Sequence, residues 1–103
     1  MKIRILDNAK FDLVDGFHFY EEQQELLGQY FLDCLYSDID SLLVFAGIHK
    51  KKHDLFWMLS KRFPYAVYYD LIEKGIQIHA VLDCRQDPKS IEKRIQKERT
   101  RRW

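Results

Sequence analysis

The side chains best able to move protons or hold an anion fall in three places along this 103-residue chain. His49 and His53 flank the run Lys50, Lys51 and Lys52; Arg62 opens the segment Phe63-Pro64-Tyr65; His79 and Arg85 bracket Ala80 to Cys84. Two histidines four residues apart share one face if the segment is helical, as a metal pair would. Here, however, the segment is polar enough to be a loop, and three ammonium groups between the imidazoles repel a cation, so neither a metal nor a cofactor is expected. Lysines beside Phe56 and Trp57 are also the parts of a single-strand nucleic-acid grip, with cations on phosphate and rings on bases. Against that, a lysine run between elements is ordinarily a solvated loop, and aromatics at alternate strand positions are ordinarily core. Arg62 and Arg85 are sharper candidates, because a guanidinium pairs two-pronged with a carboxylate or phosphate of a target or partner, or internally with Asp70 or Asp83. His18 and His79 read as packing or edge residues. Cys34 and Cys84 form no CxxC pair and read as reduced, buried thiols.

One domain accommodates the whole length. The longest apolar run, Leu42 to Ala46, is far below the roughly 20 residues of a membrane span, and the amino terminus lacks the apolar stretch of a secretory signal, so a cytoplasmic protein with no membrane partner is expected. The net charge of +1 conceals a division along the chain. Residues 7–40 hold nine acids against Lys10 alone, whereas residues 85–103 hold eight bases and three acids. Such a split points to an acidic or polyanionic partner for the basic end.

These groups need a scaffold, and the periodicity of apolar residues supplies one. Ile3 and Ile5 alternate with charges as a short opening strand. Leu6, Ala9, Leu13, Phe17 and Tyr20 recur at helical steps and predict a helix over about 8–24, capped by Asp7 or Asn8, with Gly16 tolerated by close packing. Leu27, Phe31, Cys34 or Leu35, Ile39, Leu42 and Phe45 predict a second helix, ended by Gly47 in a left-handed conformation. Phe17, Phe19, Tyr20, Tyr30 and Phe31 are then the hairpin core. Leu55 to Leu59, Tyr65 to Ile72 and Ile76 to about Cys84 alternate as strands, with Glu73-Lys74-Gly75 as a turn whose glycine takes positive φ. Asp87-Pro88 starts a last helix with a thin apolar seam, Ile91 and Ile95, whose end at Arg101, Arg102 and Trp103 is expected to fray. The fold class is α+β: an N-terminal strand, an antiparallel helical hairpin on a three- to four-stranded antiparallel sheet, and a short C-terminal helix.

The phrases Arg62-Phe63-Pro64-Tyr65-Ala66-Val67-Tyr68-Tyr69 and Ile78-His79-Ala80-Val81-Leu82-Asp83-Cys84-Arg85-Gln86-Asp87-Pro88 resemble the RelE/ParE superfamily of bacterial toxins, whose members commonly read "RFPYAIYY" and then "I-x-AVLHxRRDP". Upstream, Phe19-Tyr20-Glu21-Glu22 and Gly28-Gln29-Tyr30-Phe31 resemble the hairpin motifs of the same group, so the likeness spans roughly residues 3 to 90. It implies the growth-arresting toxin of a type II toxin–antitoxin system, often called plasmid stabilisation, neutralised by a cognate antitoxin. ParE-like members poison DNA gyrase; RelE-like members enter the ribosome and cut mRNA.

RNA cleavage through the 2′-hydroxyl needs a base, a cation for the charge that develops on phosphorus, and an acid for the leaving oxygen. The strand position that holds an arginine in RelE-like members is Ala66 here, and no tyrosine follows Arg85. For a nuclease the candidates are His49, Lys52, Arg62, His79 and Arg85; for binding antitoxin or target they are Arg62, Tyr65, Arg85, Lys89 and Arg94. The missing arginine favours the gyrase branch, with an mRNA endonuclease, or a non-toxic antitoxin-binding protein, as the other readings. Asp83 stands where the family phrase has histidine.

Overall fold

Alternation at the amino terminus forms β1 (Lys2–Ile5), with Ile3 and Ile5 packed against the core and Lys2 and Arg4 in solvent. A computed structural model describes residues 1–100; the expected fraying at Arg101, Arg102 and Trp103 falls outside the described residues. Two helices follow, α1 (Asp7–Gln23) and α2 (Leu27–Asp40). Neither Asp7 nor Asn8 caps α1, since the Asn8 amide instead donates to Glu98, 3.1 Å away. The hairpin is tight because two glycines remove side chains at the crossing. A Cβ on Gly16 would lie 2.5 Å from the Phe31 ring, and one on Gly28 only 2.6 Å from the Phe17 carbonyl oxygen. Glu21 closes the turn, accepting the Leu26 and Gly28 amides at 3.0 and 2.9 Å and so satisfying donors at the start of α2.

The predicted single second helix is broken. The Ser41 hydroxyl turns back to the Asp38 carbonyl at 2.5 Å, and the chain restarts as a single turn, α3 (Leu42–Phe45), before Gly47 takes φ +94°. Phe45 consequently leaves the core and is exposed. The lysine segment, expected to be loop, contributes a two-residue edge strand, β2 (Lys51–Lys52), paired antiparallel to β3 (Leu55–Leu59). Their turn puts His53 and Asp54 both at positive φ, 52° and 68°, which is the hairpin geometry that usually announces itself by Asn-Gly or Asp-Gly.

β4 (Tyr65–Ile72) and β5 (Gly75–Asp83) complete the expected meander. The sheet nevertheless has five strands in the order β1-β5-β4-β3-β2, and it is mixed, since β1 runs parallel to β5. This corrects the three- to four-stranded antiparallel expectation. Gly75 pairs with Lys2 and lies inside β5 without positive φ; it is there because a Cβ would stand 2.5 Å from the Lys2 carbonyl oxygen.

The two faces of the sheet are covered differently. The hairpin lies on one, burying Leu13, Phe31, Leu35 and Ile39 against Val67, Tyr69, Ile76 and Ile78. On the other, α4 (Pro88–Thr100), started by Asp87 accepting the Lys89 amide at 3.1 Å, lays Ile91 and Ile95 over Leu55, Ala66, Tyr68, Ala80 and Leu82. Tyr65, Tyr68 and Tyr69 are all buried, whereas Phe19 and Tyr30, expected in the hairpin core, stand half out of it. Both cysteines are free, but Cys84 is exposed and Cys34 only partly covered, so neither is the buried thiol the sequence suggested.

Candidate partner-binding site

His49 is held from beneath by Tyr69 of β4. The Gly47 amide donates to the Tyr69 hydroxyl at 3.0 Å, which leaves the hydroxyl proton for the His49 Nδ1, 2.5 Å away. Phe56 stacks on the far side of Tyr69 with ring centres 5.1 Å apart, so the phenol has one orientation. Burial pushes the His49 imidazole below its ordinary value and the Tyr69 phenol above its own, so the pair stays neutral at neutral pH. Lys51 lies over the Phe56 ring at 4.8 Å, and Lys52 is exposed on the sheet edge. Phe56 stacks inward and Trp57 packs beside the α4 cluster, which makes both rings packing residues.

At the other end of β4 the arginines are already engaged. Arg62 is exposed and reaches the Tyr30 hydroxyl at 3.3 Å. Arg85 forms a two-pronged pair with Asp83, Nε to Oδ1 at 3.0 Å and a terminal nitrogen to Oδ2 at 2.8 Å, and the Arg85 amide binds the same carboxylate. The Arg85 hydrogen bond holds the Asp83 carboxyl below its ordinary range against the opposing effect of burial. Asp83, standing where the resemblance has histidine, thus acts as the anchor of Arg85. Tyr65 is buried among Tyr20, Phe31 and Phe63, and burial pushes its phenol up to about 12, well outside any proton-transfer role near neutrality.

Lys89 is exposed on the first turn of α4, whereas Arg94 is bound inward. Its guanidinium grips Asp12 of α1 with both terminal nitrogens, at 2.8 and 2.7 Å, and its Nε meets Glu98 at 2.5 Å. Asp12 also accepts the Val81 amide at 3.0 Å, where β5 has run past the end of β1 and its outer edge lacks a strand partner. Burial raises the Asp12 carboxyl from its ordinary value and outweighs the opposing hydrogen bonds from Arg94 and Val81. Sequence reasoning missed this latch, although a signal was present: Asp12 sits inside the stripe Ala9, Leu13, Gly16, Tyr20, and Glu98 extends the seam Ile91, Ile95 by three residues. A charge on a buried stripe announces a buried partner.

His79 completes the set. Tyr68 opposes Ala80 while Tyr69 opposes Ile78, so His79 is the extra residue of a bulge in β5. It is buried with Nε2 3.1 Å from an Asp70 oxygen, close but off the hydrogen-bonding direction. Strand alternation puts this pair on the α4 side of the sheet, opposite His49. The nuclease candidates therefore do not converge: His49 lies on the hairpin face, His79 under the α4 face, Lys52 on the far edge, and Arg85 is locked to Asp83.

This arrangement, a glycine-fitted helical hairpin against a sheet extended by a parallel first strand and backed by a C-terminal helix, is an α+β fold with a counterpart among solved structures. A solved structure of a chain of the chromosomal ParDE toxin–antitoxin system from P. aeruginosa is similar to it, with a TM-score of 0.67 at 16% sequence identity, covering 79% of this chain and 92% of that one. No family model and no curated protein matches the sequence.

Proposed function

We propose that the chain is the toxin of a type II toxin–antitoxin pair, neutralised in the cytoplasm by an antitoxin encoded with it, and that it arrests growth by poisoning DNA gyrase. The observation that carries the reading is the shared fold with a chain of a ParDE system, met by the independent phrase Arg62 to Tyr69. No helix among the described residues is long and apolar enough to cross a membrane.

Two features support gyrase over RNA cleavage. Ala66 occupies the position of the RelE-like arginine and is buried under α4, packed with Ile91 and Ile95, so a cation there would lack both water and a phosphate. The remaining acid–base candidates are divided between two sheet faces, whereas cleavage needs them within hydrogen-bonding reach of one phosphate. Purified chain added to gyrase and relaxed plasmid is expected to suppress supercoiling and leave broken DNA. Undiminished supercoiling, together with mRNA cut on ribosomes by the same preparation, would replace gyrase with the ribosome as target. Neither effect, with no arrest on induction, would leave an antitoxin-binding protein without toxicity.

A further inference from the structure

Several exposed apolar side chains fall together on and after α3: Val44 is 77% exposed, Ile48 73%, Leu43 53% and Phe45 51%. Single exposed apolar residues are ordinary, but a contiguous group around a cleft marks a binding surface. Here Phe45, Ile48, Met58 and Leu59 line a cleft of about 350 Å³, at the small end of the range for binding pockets. Its polar floor is already satisfied. Asp38 accepts the Ser60 hydroxyl at 2.5 Å, and His49 is fixed by Tyr69.

Charge identifies the occupant. Lys61 lines the cleft, and Lys50 and Lys51 follow His49; none of the three forms an ion pair among the described residues. In contrast, Arg85 and Arg94 of the basic carboxyl-terminal region are neutralised from within. Cations without an ion-pair partner beside an apolar cleft, Lys51 among them over the Phe56 ring, match carboxylates flanking apolar anchors. A nucleic acid would match the cations but not the cleft, since its rings are Phe45 and a His49 already fixed by Tyr69, and Asp38 in its lining repels phosphate. We infer that the cleft between α3 and β3 docks an acidic, amphipathic segment of the neutralising partner. This rests on the toxin reading above, and it moves the docking face from the carboxyl-terminal helix to the other side of the sheet.

The test titrates the full chain with a fluorescein-labelled helical peptide carrying leucines at i, i+3, i+4 and i+7 and glutamates elsewhere. A lysine-for-glutamate counterpart and an oligothymidine strand serve as competitors, and amide shifts map the site. Binding of the glutamate peptide is expected at residues 43–50 and 58–61, weakened roughly tenfold or more by Val44→Asp with Ile48→Asp and by Lys51→Glu with Lys61→Glu, at unchanged melting temperature. No binding, equal binding of the lysine peptide, shifts confined to α1 or α4, displacement by oligothymidine, or a self-dimer abolished by Val44→Asp would each overturn it. Growth arrest on induction separates the two levels. Arrest without peptide binding overturns the docking surface alone; binding at the cleft without arrest overturns the toxin reading alone.

Discussion

The two faces of the sheet are closed by opposite means. The hairpin face is apolar and fitted, with Gly16 and Gly28 letting α1 and α2 approach until the Phe31 ring fills the space a methyl would need. On the α4 face two isoleucines do the apolar work, and the helix is otherwise fastened by a polar latch in which Arg94 joins Asp12 and Glu98. Apolar burial is non-directional and insensitive to pH, whereas a latch of carboxylates and a guanidinium is directional and titratable. The hairpin face should therefore govern global stability, and the α4 face should set the local opening of one helix.

The largest effect expected is from Phe31→Ala, which empties the hairpin core and should lower unfolding free energy by about 3–5 kcal/mol in urea titration. Gly28→Ala comes next, because the clash is with backbone at Phe17 and cannot be relieved by a rotamer; a loss of about 1–3 kcal/mol is expected. Arg94→Met should cost about 2 kcal/mol, less than a fully buried pair because the guanidinium keeps a quarter of its side chain in water. Its distinguishing sign is local: hydrogen exchange should quicken in α4 while the amides of α1 and α2 stay protected. Equal acceleration in both would erase the contrast between the faces.

Two aspartates respond to pH with opposite signs. Asp12 has its carboxyl raised from 3.8 by burial, so its stabilising contribution is complete below the unfolded value and is lost as pH rises through the folded one. Asp83 is lowered from 3.8 by Arg85, so its contribution is present above the unfolded value and is lost as pH falls through the folded one. In urea midpoints collected over roughly pH 2–6, Asp12→Asn should remove a component that falls with pH, and Asp83→Asn one that rises with it. Slopes of the same sign would contradict the assignment. The smallest effect is Arg62→Ala, an exposed residue with one long hydrogen bond to Tyr30, where a change within about 0.5 kcal/mol is expected.

Much of this contrast was legible in the residues themselves. The hairpin and the meander follow from apolar period, and the fitted glycine at position 16 from its place in the helical stripe. The Phe19-Tyr20-Glu21-Glu22 and Gly28 motifs also acquire a physical reason: Glu21 caps the start of α2, and Gly28 makes room for Phe17. What escaped was non-local. Nothing in Lys2 to Ile5 specifies that it pairs parallel with β5, because its partner is more than 70 residues away and α1 and α2 lie between them. The His53-Asp54 turn lacks the glycine that marks such geometry, so β2 read as loop. Counting charges located the basic end but could not say that Arg85 and Arg94 are paired internally, with Asp83 and with Asp12 and Glu98.

The proposed poisoning of gyrase without cleavage of RNA is open to parallel pulse-labelling with methionine and thymidine in the first minutes after induction. Thymidine incorporation is expected to fall first while methionine incorporation continues. Methionine incorporation falling first would contradict it and turn attention to His49, Lys52 and Arg62 as groups acting on the ribosome.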